Sequence, residues 1–132
     1  MVVDSSAVLA ILFQEPDAER FSQALAAAPT RISAASVVET GIVLNAKRGP
    51  EAEDDFDELL DRMRFCIEPV TAEHARLARR AFRVFGKGNH PAGLNFGDCF
   101  AYALAKASGE PLLFKGDDFA RTDIPPALPA RI

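Results

Sequence analysis

The chain has no tryptophan, one tyrosine, two cysteines and two histidines, and no apolar run approaches the roughly 20 residues that span a bilayer. Each scarcity closes off a class of function. A glycosidase flanks its sugar with two acids and usually lines the cleft with aromatic platforms, for which Tyr and Trp are too few here. A structural zinc site is excluded in practice, because His74 and His90 have no close partner and neither Cys66 nor Cys99 belongs to a CxxC pair. Both cysteines lie in apolar segments, which predicts buried thiols in a reducing cytoplasm. Net positive charge is also missing: the formal charge is −4, so contact with nucleic acid must be local. No basic segment precedes MVVDSSAVLAILFQEP, and its apolar residues are interrupted by Asp4 and two serines, so neither a signal peptide nor a membrane span is expected.

What is present describes a folded unit. With 48% hydrophobic and 26% charged residues, 132 residues suit one domain with a sizeable core, spanning 1–132. Val2 to Asp4 reads as a buried strand, and Ser5 or Ser6 as the cap of a helix through Ala7 to Phe13. Asp17 opens a second helix that ends near Pro29, and Thr30 to Ser33 is β-like. A third helix runs from about Ala35 to Arg48, with Val38, Ile42 and Leu44 inward, and Gly49-Pro50 ends it. Glu51 to Met63 is helical, Arg64 to Val70 alternates as a strand, and Thr71 caps a long fifth helix. Arg76, Arg80, Arg83 and Lys87 form a basic stripe on that helix, opposite Leu77, Ala78, Ala81, Phe82 and Phe85; a solvated helix face explains it equally well. Residues 86–93 form a breaker-rich loop, Asn95 caps a sixth helix, Pro111 to Phe114 is a buried strand, and the proline-containing tail is extended. Strands alternating with helices give an α/β fold, a mostly parallel central sheet flanked by helices.

Four acids, Asp4, Glu39, Asp98 and Asp117, stand where short apolar runs meet turns or helix starts. In such a sheet, strand ends and helix N-termini gather at one rim, so these carboxylates can share a pocket. Each also has a plain explanation. Asp4 can cap a helix, Ser36-Val37-Val38-Glu39 matches a capping box, Asp98 suits a helix dipole, and Gly116-Asp117-Asp118 is turn chemistry. The apolar neighbours of Asp4 and Asp98 predict partial burial, where an unpaired carboxylate is costly. A hard cation removes that cost, and Mg²⁺ or Mn²⁺ suits oxygen ligands. Metal-held water acting on a phosphodiester points to a nuclease. A phosphate-receiver domain is the rival, with Lys115 as its late lysine. Its phosphoacceptor is missing, since Asp54, Asp55, Asp57 and Asp61 fall in a helical pattern. A non-catalytic interaction domain is the third reading.

Four segments in order, MVVDSSAVLAILFQEP, SAASVVETGIVL, GLNFGDCFAYALA and PLLFKGDDFARTDI, give the chain a resemblance over essentially its whole length to PIN domains, in particular to VapC-type toxins of bacterial toxin–antitoxin pairs. The resemblance implies a three-layer α/β sandwich and a Mg²⁺- or Mn²⁺-dependent endoribonuclease. It places Asp4 and Asp98 as primary ligands, with Glu39 and Asp117 completing the pocket, and Asp118 competes with Asp117 for the fourth position. Ser6 and Asn95 match polar positions of the family's site, although either can simply cap a helix. Lys87 and His90 are candidate RNA contacts from the loop, and Lys115 a candidate partner of the acids. The resemblance further implies a VapB-like antitoxin and a toxin homodimer. An apolar surplus on the early helices, Val8, Ile11, Leu12, Phe13 and Phe21, offers a groove for such a partner, or ordinary core packing.

Overall fold

The computed structural model describes residues 1–129. The last three residues of the expected 1–132 unit lie outside the described residues. Among the described residues four short strands, β1 (Val2–Val3), β2 (Arg31–Ser33), β3 (Cys66–Glu68) and β4 (Leu112–Leu113), form one sheet in the order β3-β2-β1-β4. All three pairings are parallel, with Val2 opposite Arg31 and Leu112, and Ile32 opposite Ile67. Six helices connect them: α1 (Ser5–Leu12), α2 (Ala18–Ala27), α3 (Ala34–Arg48), α4 (Pro50–Arg62), α5 (Ala72–Phe85) and α6 (Phe96–Ser108). A 3₁₀ turn spans Phe119–Arg121, and the tail then runs through bends, rather than extended as expected, to bridge Leu112 at Pro126.

Strand alternation separates two cores. Val2 and Leu112 face α5 and α6, packing with Ala81, Tyr102 and Leu104, while Val3, Ile32 and Leu113 face the other way onto Val8, Phe21, Leu44 and Phe56. Each two-residue strand thus serves both faces, which explains why continuous apolar dipeptides mark a sheet covered on both sides. The helix boundaries have local causes. Thr71 accepts from the His74 N–H at 3.1 Å and starts α5. At Gly49 the backbone turns through φ +85°, a conformation a side chain resists, so α3 stops and Pro50 begins α4.

Three expectations about local environment are corrected. Val38 and Ile42 are 61% and 64% exposed rather than inward. The inward row of α3 is Ser36, Thr40 and Leu44, four apart, with the Thr40 hydroxyl satisfied by the Ser36 carbonyl at 2.7 Å. Cys66 is exposed, because β3 is the edge strand and only three residues long; Cys99 is buried as expected. The capping box at Ser36 does not form, since Ser33 is the cap of α3 and accepts from the Ala35 N–H. Glu39 therefore lies in the second turn and is free for another use. As for the early helices, Val8 and Phe21 are core residues, and Ile11, Leu12 and Phe13 pack against that core. The Phe13 ring is covered by Lys47 and Arg48 at 5.5 and 4.7 Å, and Ile11, Leu12 and Phe13 remain partly exposed.

Candidate active site

Strand order puts β1 at the sheet's switch point: the chain leaves it for β2 on one side, and β4 returns on the other. A crevice at the carboxyl ends of the strands is where ligands bind in open sheets of this kind. Asp4 sits there, immediately after Val3, with its N–H donating to the Leu113 carbonyl at 2.9 Å. It is 1% exposed. Its Oδ2 accepts from the Ser6 N–H at 3.0 Å, so the capping role is real. Its Oδ1 is buried and accepts no hydrogen bond. A cap alone leaves that oxygen unexplained.

Asp98 arrives from α6. Its Oδ2 accepts from the Asn95 N–H at 3.0 Å while Asn95 Oδ1 accepts from the Asp98 N–H at 2.9 Å, a reciprocal capping box that fixes the rotamer. Glu39 comes from α3 and accepts from the Ser5 hydroxyl at 2.6 Å. Asp4 feels the charges of Asp98 and Glu39, and Asp98 that of Glu39. Burial, reinforced by the charges of Asp98 and Glu39, lifts the Asp4 carboxyl to about 7 against two opposing hydrogen bonds from Ser6. Desolvation, with Glu39 and Asp118 adding to it, lifts Asp98 to about 6. Cys99 beside it is an inert thiol, pushed up to about 11 by burial.

The charge of Asp118 adds to the upward shift of Asp98, whereas Asp117 lines a cavity of about 250 Å³ with Arg20 and Phe21. Ser6 and Asn95 both lie in the site, Asn95 as the cap just described. Ser6 Oγ accepts from the Lys115 N–H at 3.0 Å and ties the start of α1 to the end of β4. The Lys115 ammonium pairs instead with Glu15. His90 is used within its own loop, where Nδ1 accepts from the Ala92 N–H at 3.0 Å and the ring meets Phe85 edge-on at 5.2 Å. Lys87 is exposed, its N–H bound to the Leu94 carbonyl at 2.8 Å.

Two residues escaped the sequence reading. Ser5 orients Glu39. Gly97 makes room for it: a β-carbon there would stand 1.8 Å from Glu39 Oε2. The signal was available, because glycine in a helix's first turn costs stability relative to alanine and calls for a reason.

Among the described residues no three carboxylate, imidazole or thiol groups form a ready-made cage for a metal ion. Mg²⁺ does not need one, because it is commonly held by one or two carboxylates and keeps several waters. The unpartnered Asp4 Oδ1, with Asp98 beside it, fits that donor set.

A sequence-family model described as the PIN domain matches residues 1–125. Ribonuclease VapC28 of Mycobacterium tuberculosis is 53% identical over 133 residues, covering 99% of this chain and 100% of that protein. A ribonuclease VapC of Mycolicibacterium smegmatis is 50% identical over 125 residues, 94% of this chain and 97% of the relative. Among solved structures, the M. tuberculosis toxin VapC20 aligns with a TM-score of 0.76 at 18% identity, covering 93% of this chain and 95% of that one. A toxin–antitoxin complex from Klebsiella pneumoniae aligns at 0.69 with 19% identity, covering 92% of each chain. The two structures share the α/β sandwich described above.

Proposed function

This chain belongs to the PIN domain family, and from that premise we propose that it is a Mg²⁺- or Mn²⁺-dependent endoribonuclease, the toxin of a toxin–antitoxin pair. The relatives named ribonucleases, alike over nearly the whole chain, support the substrate class. One observation carries the metal dependence. Asp4 is fully buried at a strand end with one oxygen unpartnered and two further carboxylates beside it, an arrangement that is costly until a cation neutralises it.

Asp4 and Asp98 would hold the ion, with Glu39 and Asp118 completing the pocket directly or through water. When bound, it supplies a Lewis acid that activates water and neutralises charge developing on the phosphodiester. The chain's own groups do the positioning. Glu39, held by the Ser5 hydroxyl, presents its second oxygen beside Gly97 as an acceptor that can orient a water molecule. The Asn95–Asp98 pair locks its carboxylate before substrate arrives, so little reorganisation is needed during reaction. Ser6, whose Oγ accepts from the Lys115 N–H, holds the start of α1 and the Asp4 carboxylate against the end of β4.

Purified protein incubated with total cellular RNA is expected to cleave it with Mg²⁺ or Mn²⁺, to lose cleavage on chelation, and to regain it when the ion is restored. Cleavage that persists at full rate in excess chelator defeats the metal reading. The fourth-acid assignment has its own check. Asp118→Asn should slow cleavage by more than tenfold, in line with the weakening of one charged partner, whereas Asp117→Asn should stay within a few-fold of the parent. The opposite ranking returns the role to Asp117.

The toxin reading brings an antitoxin partner, as the complex solved for the Klebsiella fold neighbour illustrates. It also brings a homodimer, for which the exposed Val38 and Ile42 supply apolar surface. A cytoplasmic location agrees with two free cysteines and with an RNA substrate. Among the described residues no helix is long and apolar enough to cross a membrane.

A further inference from the structure

The most exposed large apolar side chain of the described residues is not on an outer corner of the molecule. Phe96, 78% exposed, is the first residue of α6, next to Gly97, which abuts the Glu39 carboxylate, and two residues from Asp98. Its ring stands edge-to-face with Phe100 at 5.0 Å and 79°. Together with Phe82 and Arg79 of α5, these rings line an open groove of about 550 Å³, floored by small residues and Cys99. Phe82, expected to be inward, is 41% exposed here. Helix α5 adds exposed Arg76 and Arg83 to Arg79, a concentration of positive charge in a chain of net charge −4.

We propose that this α5–α6 groove is a stacking platform for single-stranded RNA, in which Phe96 receives a base next to the scissile phosphate and Arg79 meets the backbone at the rim. The inference rests on the ribonuclease reading and names how that site holds its substrate. Stacked aromatics with interspersed arginines form the usual surface for unpaired nucleic acid, because every base has a π-face and every nucleotide a phosphate. The acidic pocket repels RNA, so affinity has to come from beside it. A phosphodiester held at Asp98 leaves its neighbouring base within one nucleotide's reach of a ring two residues away. A second copy of this chain fits the groove less well, since a two-fold contact across α5 would bring the exposed arginines toward their own equivalents.

The test is steady-state cleavage of an unstructured RNA oligonucleotide in Mg²⁺ by the full chain and by Phe96→Ala, Phe96→Leu, Phe96→Trp and Arg79→Gln. Phe96→Ala and Phe96→Leu should raise KM about tenfold, the loss expected for one stacked base, with kcat changed far less. Phe96→Trp should restore KM. Arg79→Gln should flatten the salt dependence of binding by about one phosphate contact. Circular dichroism and sedimentation of each variant accompany the kinetics. A parent-like KM for Phe96→Leu overturns the platform, because apolarity without a π-face then suffices. A change of oligomeric state in Phe96→Ala overturns it too and makes the groove an interface between copies. If the unmodified chain cleaves no RNA at any Mg²⁺ concentration, the ribonuclease reading fails instead. Anisotropy of a labelled single-stranded RNA then decides the platform, with equal affinity for the parent and Phe96→Ala counting against it.

Discussion

Asp4→Asn is expected to abolish RNA cleavage and, in the absence of divalent metal, to make the protein more stable than its parent above neutral pH. The two effects have one origin. Asn caps a helix about as well as Asp and occupies the same volume, so the start of α1 is preserved. The lost property is charge. In the metal-free fold that charge is unfavourable: burial lifts the Asp4 carboxyl from 3.8 to about 7. Between these values the folded state holds a proton that the unfolded chain has released, so stability falls as pH rises through the window and the full loss is felt above about 7. At 1.36 kcal/mol per unit the loss amounts to roughly 4 kcal/mol, an upper figure for a fully buried group. Asp98, lifted to about 6 by desolvation, acts in the same direction.

Thermal unfolding of the chelated parent at pH 5 and pH 8 should therefore give a clearly lower midpoint at pH 8. Asp4→Asn should lack most of that difference. Adding Mg²⁺ at pH 8 should recover the parent, because a ligand that binds only the folded state stabilises it, and leave the variant little changed. Cleavage by the variant should fall by about 10²- to 10³-fold or more, the cost of removing one preorganised electrostatic partner. A parent whose stability is flat between pH 5 and pH 8 would show that Asp4 is not the titrating group. An active variant would remove it from the chemistry.

Which parts of this arrangement could be read in the sequence follows from the range of the interactions involved. Helix starts were legible where the cap is local: Thr71 to His74, and Asn95 to Asp98, are contacts of three residues, written in the chain itself. The parallel sheet followed from apolar pairs such as Val2-Val3 and Leu112-Leu113, which need cover on both faces. Helix facing was less legible. Val38, Ile42 and Leu44 carry the apolar signal in α3, yet only Leu44 of these is buried, beside Ser36, Thr40 and Gly41, because close approach to α4 and to the sheet selects small side chains along most of that face. The Glu39 environment was illegible for a different reason. Its partners, Ser5 and Gly97, lie 34 residues back in the hydrogen bond and far ahead in α6, so no spacing rule links them. Which of Asp117 and Asp118 adds its charge to Asp98 likewise depends on how the turn after β4 is aimed, which adjacent identical residues cannot disclose.

Gly97→Ala should be the most informative single methyl group in the protein: activity lost, fold retained. The added β-carbon would lie 1.8 Å from Glu39 Oε2 and 2.5 Å from its carboxyl carbon, well inside van der Waals contact. Something has to move, and the cheaper mover is the tip of a half-buried glutamate rather than the backbone of α6. The displaced carboxylate then leaves the Ser5 hydroxyl at 2.6 Å, which oriented it, and withdraws from Asp4 and Asp98. Stability is pulled the other way, since alanine is the better helix former by up to about 1 kcal/mol and this glycine has no left-handed φ to defend. The melting midpoint should accordingly stay level or rise while cleavage drops by about 10²-fold or more, as for the loss of an oriented catalytic group. A cycle with Glu39→Ala separates this account from a general disturbance of α6. If the methyl acts only by displacing Glu39, the double variant will be no slower than Glu39→Ala alone, and the two losses will fail to add. Additive losses would mean that Gly97 matters to the site by some route other than Glu39.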